Sequence, residues 1–136
     1  MNAVTDSLAA RIAAIVGPAG VITEDDAMTP YVTEWRGRFH GRARLVVRPA
    51  STEEVAQVVR LCAAEGVGIV PQGGNTGLCE GAMPDESGRQ VVVNLSRMNR
   101  IRHLDPLDFT MTVEAGVVLQ TLQEKAADAG CFFPFL

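Results

Sequence analysis

The chain has 136 residues, 47% of them hydrophobic and 21% charged, with a formal net charge of −4. That length fits one domain able to bury about two-thirds of its unfolded surface, and the mild acidity gives no general attraction to nucleic acid or anionic membrane. No apolar run is long enough to span a bilayer, and the three cysteines, Cys62, Cys79 and Cys131, lack the C-x-x-C spacing of a zinc or redox site.

Leu8, Ile12, Ile15 and Val16 recur at helical spacing between Thr5 and Gly17, and Gly17-Pro18 ends the pattern. Asp6 and Arg11 interrupt this segment where a secretory signal has an unbroken apolar centre, so a cytoplasmic location is expected. Thr23 to Gly41 mixes short helical signals with loop residues and carries the only tryptophan, Trp35. Ala43 to Arg48 reads as a strand stopped by Pro49. Ser51 is a good N-cap with Glu54 at the reciprocal capping-box position, and Val55, Val58, Val59 and Cys62 form an apolar stripe that Gly66 terminates. Val67 to Val70 is a short buried strand. The right-handed crossover rule makes it parallel to the first strand in one sheet. Val91 to Leu95 is a third strand, too uniformly apolar to be half-exposed. Arg100 to Leu104 and Phe109 to Glu114 read as a hairpin around Asp105-Pro106-Leu107-Asp108, and Asp105 and Asp108 suit the turn because their side chains can bond local backbone. A last helix spans about Val118 to Ala129, with Leu119, Leu122 and Ala126 on one face. The expected division is a helical segment over 1–40 and the main unit over 41–136.

The most informative stretch is Pro71-Gln72-Gly73-Gly74-Asn75-Thr76-Gly77-Leu78, which follows the second strand and carries no charge. Such a loop binds with its backbone: glycines can take positive φ, so successive N–H groups can turn inward around an anion. A positive φ is expected at Gly73 or Gly74, with both amides facing a concave surface. The loop is neither a Walker phosphate loop nor the G-x-G-x-x-G dinucleotide fingerprint. A plain glycine-rich connection between strands is the alternative. The loop would leave the carboxyl end of a parallel strand, the edge that ligands favour in open α/β sheets.

Four motifs in order resemble one family: Val46 to Val55, the loop from Pro71 to Leu78, Asn94 to Ile101, and Val113 to Val117. From Tyr31 to Pro134 the chain looks like the start of the flavin-linked oxidases and dehydrogenases of the vanillyl-alcohol oxidase / p-cresol methylhydroxylase type, in the branch that oxidises D-2-hydroxy acids such as D-lactate, D-2-hydroxyglutarate or glycolate. The resemblance implies an α+β fold: a small parallel βαβ subdomain of the FAD-binding domain, followed by the start of an antiparallel subdomain. It assigns the FAD pyrophosphate to Gln72, Gly73, Gly74, Asn75, Thr76 and Gly77, with Leu78 closing the loop. It further implies hydride transfer from the hydroxyl-bearing carbon to the flavin, with the base and the substrate-carboxylate residues beyond Leu136, so no catalytic residue is named. Where relatives often carry a histidine bonded to the flavin, this chain has Asn75, which has no nucleophilic ring nitrogen, and FAD is therefore expected to be held non-covalently. Glu80 follows the loop and must point to solvent to avoid repelling a pyrophosphate.

Other clusters carry less. Arg36, Arg38, Arg42, Arg44 and Arg48, interleaved with Trp35, Phe39 and His40, have the mixed basic and aromatic character of nucleic-acid binders, yet the chain is acidic overall and a solvated basic face is the expectation. Cys62 lies on the helix stripe as core, and nothing activates Cys79. His103 lacks partners for a triad. Phe132, Phe133, Phe135 and Leu136 place four large apolar side chains at a terminus, where chains are usually polar. In the family this stretch leads into further subdomains, so the chain is expected to be the first part of a flavoenzyme, to bind FAD weakly by itself, and to self-associate through this apolar segment. A non-enzymatic nucleotide- or protein-binding module, or a related flavoenzyme with another substrate, remains open.

Overall fold

The computed structural model describes residues 3–134, with side chains from Ser7 onward. Phe135 and Leu136, two of the four apolar terminal residues, lie outside the described residues.

Helix α1, Ala3–Val16, buries Leu8, Ile12 and Val16, one residue per turn along one face. Gly17 at φ 77° ends it, and a short 3₁₀ turn, Pro18–Gly20, leads to β1, Val21–Ile22. A two-residue strand is too short to leave a periodic signal, and the sequence gives no warning of it. Helix α2 covers Asp25–Val32 with Pro30 in its last turn. Strand β2, Ala43–Val47, precedes helix α3, Thr52–Ala64, whose capping is as expected: Ser51 Oγ accepts from the Glu54 amide at 3.2 Å, while Glu54 Oε2 accepts from the amide of Ala50 at 2.7 Å. Gly66, at φ 64°, closes the other end, where the amide of Val67 donates to Cys62 O and that of Gly66 to Ala63 O.

That closure corrects the expected Val67 to Val70 strand. Val67 is spent on the helix terminus, and β3 runs over Ile69–Gln72, so Pro71 and Gln72 belong to the strand and the loop begins at Gly73. Strand β4, Gln90–Asn94, lies between β2 and β3 and is parallel to both, giving the order β1-β2-β4-β3 with β1 antiparallel at the edge. The crossover rule set the direction of β2 and β3 but not that β4 would separate them. One face of the sheet packs Leu45, Val47, Val91 and Val93 against α1 and α3 through Ile12, Val58 and Cys62. The other packs Val46, Val92 and Val70 against Met28 of α2.

Strands β5, Ile101–Asp105, and β6, Thr110–Val113, form the expected separate antiparallel hairpin. Asp105 Oδ1 accepts from the amides of Leu107 and Asp108, which makes the turn. Helix α4, Leu119–Asp128, buries only Ala126, so its expected apolar face is largely unpartnered here. Together, a mainly parallel four-stranded sheet with helices and an independent antiparallel hairpin make up the α+β architecture expected from the sequence.

The hairpin is joined to the sheet through the segment after β6. Gly116 comes so close to the turn after β4 that a Cβ there would lie 1.9 Å from Leu95 O, and its amide donates to Met98 O at 2.9 Å. Beside it, the buried Glu114 carboxylate accepts from the Arg100 amide and from the guanidinium groups of Arg100 and Arg102. Thus the motif from Val113 to Val117 has a structural cause, a close approach and a buried carboxylate. Hydrogen bonds from the Arg100 side chain and then its amide hold the Glu114 carboxyl at about 2, against an ordinary 4.5. A carboxylate whose folded pKa is depressed contributes stability that is fully present above its unfolded pKa and is lost as pH falls through the folded value. Urea unfolding should therefore show stability falling between about pH 4.5 and about pH 2, with a shallower fall in Glu114→Gln; equal slopes would mean that the carboxylate is not held this way.

Candidate functional site

The carboxyl ends of the parallel strands are where the sheet stops being apolar. The Gln72 and Asn94 side chains, adjacent in the β3/β4 register, are both buried, and Asn94 Nδ2 donates to Gln72 Oε1 at 3.1 Å and to Gly73 O at 3.2 Å. Gln72 Nε2 donates to Tyr31 O at 2.8 Å and Ala82 O at 2.9 Å. Asn94 Oδ1 accepts from the Ser96 amide. Buried amides are retained when their bonds are made, and these two tie α2, the start of the glycine loop and the return segment to one point. The Gln72 side chain is thereby committed to the protein, and its carbonyl accepts from the Leu95 amide at 2.9 Å, so Gln72 holds the strand end and the loop beyond it is what remains for a ligand.

Beyond this point the loop is exposed at Gly73, Gly74, Thr76, Gly77 and Leu78, and half-buried at Asn75. The positive φ expected at Gly73 or Gly74 is absent there: Asn75 takes it, at 55°. Asparagine tolerates the left-handed region because its short side chain can bond locally, and here Nδ2 donates to Thr33 O at 3.1 Å and Pro30 O at 3.4 Å. The reversal is thus bought by anchoring on the α2 terminus, and the glycines are left unstrained. A Cβ at Gly73, Gly74 or Gly77 would meet nothing within 4 Å. Among the described residues, no amide from Gly73 to Gly77 donates to a backbone carbonyl in a turn or cap. Several glycines elsewhere have reasons inside the protein, such as the positive φ at Gly66 or a Cβ 2.1 Å from Pro84 O at Gly41. Gly73, Gly74 and Gly77, like Gly81 beyond the loop, have neither reason, and within the loop they lie among amides without such a backbone bond, which fits a ligand whose diphosphate approaches the backbone closely.

A second arm braces the loop from outside. Thr33 pairs with His40 across a short bridge, and between them the Glu34 carboxylate is buried. It accepts from the amides of Arg36 at 3.0 Å and Arg38 at 3.4 Å and forms an ion pair with Arg36 Nε. Burial raises its pKa, but these hydrogen bonds outweigh it and the carboxyl titrates below the ordinary range. Arg36 Nη2 in turn donates to Leu78 O at 3.2 Å. Arg36 therefore braces the loop, and Glu34 is the residue that sequence reasoning missed; a carboxylate two residues before an arginine was its one signal.

Elsewhere, the arginine cluster does not form one face. Arg36 is held at the loop, while Arg44 lines a cavity of about 550 Å³ with Asp85 and Arg89, around the starts of β2, β3 and β4 at the opposite edge. Glu80 is exposed, the placement expected of it from the sequence, and Cys79 is an exposed free thiol. Among the described residues no group of three or more His, Cys, Asp or Glu side chains could hold a metal ion. The anchoring role of Asn75 has a measurable consequence. Asn75→Gly, which loses the side-chain bonds without strain, should cost about 1 kcal/mol in urea unfolding; Asn75→Ala adds left-handed strain and should cost about 2–3 kcal/mol. Equal costs would remove strain from the account.

With this geometry in view, a family model described as an FAD binding domain matches residues 43–136. Over 120 residues the chain is 33% identical to a probable mitochondrial D-2-hydroxyglutarate dehydrogenase of Oryza sativa subsp. indica, covering 88% of this chain and 21% of that protein. It is 35% identical over 120 residues to a D-2-hydroxyglutarate dehydrogenase of Stutzerimonas stutzeri (strain A1501), covering 88% and 25%. The solved structure of p-cresol methylhydroxylase with substrate bound shares the fold, with a TM-score of 0.73 at 19% identity over 96% of this chain and 26% of that one. The chain thus spans about a fifth to a quarter of the length of these relatives. Its ordered motifs, its sheet order and the family match over most of its length agree: the chain belongs to the FAD binding domain family, whose cofactor is FAD.

Proposed function

We propose that this chain is the FAD-binding part of a flavin-dependent dehydrogenase that oxidises a D-2-hydroxy acid to the 2-oxo acid. The observation that carries the cofactor side is the ledge of Gly73, Gly74 and Gly77, open at every Cβ position and free of positive φ. The names of the relatives, D-2-hydroxyglutarate dehydrogenases, support the substrate class. In this reading the amides of Gly73 to Gly77 donate to the diphosphate, Gln72 and Asn94 hold the strand ends that place them, and Leu78 closes the loop. Bound FAD supplies the hydride acceptor. Attachment is non-covalent, because the Asn75 carboxamide is no nucleophile and is turned onto the carbonyls of Thr33 and Pro30. No catalytic base is assigned within the chain. The division at residue 40 belongs to the same reading and is supported by the family match beginning at residue 43, although α1 contributes Leu8, Ile12 and Val16 to the shared core.

The cytoplasmic location is likewise a proposal. It rests on the charged residues Asp6 and Arg11 in the first segment; no helix among the described residues is long and apolar enough to cross a membrane, and the Oryza relative is named as mitochondrial. Self-association is favoured by Phe132, 87% exposed, beside Phe109, 82% exposed, on the outlying hairpin and α4 side.

The test is Gly74→Ala. Its methyl meets no protein atom and its φ carries no strain, so unfolding free energy should stay within about 0.5 kcal/mol of the parent. FAD affinity, followed by NMR titration, should fall at least about tenfold because the methyl stands where the diphosphate approaches. Unchanged affinity would contradict the assignment of the loop.

A further inference from the structure

The glycine loop lacks a cation. From Gln72 to Leu78 there is no charged side chain, and the next one, Glu80, is an anion. Neutral amides alone must therefore hold a diphosphate, and they do so well only if they are fixed in place beforehand. The nearest fixed positive charge recorded against the loop is Arg36. Its Nε is paired with the buried Glu34, its Nη2 donates to Leu78 O at 3.2 Å, and its Cζ sits 5.7 Å from the centroid of the Trp35 ring. A guanidinium has five donors in a rigid fork, so these contacts fix its plane and leave further N–H groups unspent.

We propose that Arg36 is a positioning residue for the glycine loop, with buried Glu34 aiming it. The loop is held at two places by the same arm: Asn75 Nδ2 on the carbonyls of Pro30 and Thr33, and Leu78 O on Arg36. Between those anchors lie Thr76 and Gly77, with Gly73 and Gly74 just before them, so the backbone that carries these amides is held in place by that arm before any ligand arrives. Such preorganisation raises affinity by removing an ordering cost. Lysine cannot replace arginine, since a single ammonium cannot bond Glu34 through one nitrogen and Leu78 through another in a fixed plane. This role rests on the diphosphate reading of the loop.

The experiment uses the 136-residue chain with ADP, which carries the diphosphate, and adenosine, which does not. Backbone order parameters of Gly73 to Leu78 are measured by NMR in the parent, Arg36→Gln, Arg36→Lys and Glu34→Gln, with the amides of Val91 to Val93 as the check that the sheet is intact. The loop should drop from about 0.85 to below about 0.6 in all three variants. ADP affinity should fall about tenfold in Arg36→Gln, with only partial recovery in Arg36→Lys, while any adenosine affinity is unchanged. Unchanged order parameters and ADP affinity in Arg36→Gln would overturn the proposal. So would an equal loss for ADP and adenosine, which is the signature of general damage. If the variants loosen the loop but the parent does not respond to ADP, the positioning role stands and the cofactor reading falls.

Discussion

Two buried side-chain amides at the carboxyl ends of β3 and β4 are the constraint on which this site depends. A strand of apolar residues needs nothing but burial to stay in place, whereas a buried carboxamide must satisfy each of its donors and acceptors or cost free energy. Gln72 and Asn94 meet that requirement by bonding each other, Tyr31 O, Ala82 O and Gly73 O. Any displacement of α2, of the loop's first residue or of the returning chain at Ala82 breaks at least one of these bonds. The network therefore fixes the point at which the loop leaves the sheet, and the outer arm, through Asn75 and Arg36, fixes the rest.

This division of labour explains the glycines. Where the protein itself needs a glycine, the need is visible as a positive φ or as backbone pressed against backbone, as at Gly66, Gly41 and Gly116. At Gly73, Gly74 and Gly77 neither is present, and a glycine that relieves no strain still carries the entropic cost of ordering a flexible residue. Within the loop, where the three stand together, close approach by something outside the chain supplies a reason. The unused amides and the solvent-facing Glu80 point the same way.

Much of this was legible in the sequence for a physical reason: local chemistry decides local structure. The Ser51 and Glu54 cap, the Gly66 terminus, the apolar β4 and the Asp105 turn each follow from side chains within a few residues of one another. What was not legible depends on contacts distant in sequence. The insertion of β4 between β2 and β3 and the two-residue β1 follow from sheet packing rather than from a local pattern. The shift of β3 toward Gln72 arose because Val67 was drawn into the helix terminus. The positive φ fell on Asn75 rather than on a glycine because carbonyls more than forty positions earlier in the chain reward its side chain. Glu34, with no periodicity to mark it, became visible only once Arg36 was seen against Leu78.

The central claim is that the diphosphate end of FAD meets the chain at the carboxyl edge of the parallel sheet, on the backbone of the glycine loop. The most direct measurement is a map of amide chemical-shift changes as FAD is added to the chain. The account predicts the largest changes at Gly73, Gly74, Asn75, Thr76 and Gly77, with no comparable change around the cavity at the other edge, at Gly66, Gly68 and Gly88. Changes centred on Gly66, Gly68 and Gly88, with the loop amides unmoved, would contradict it.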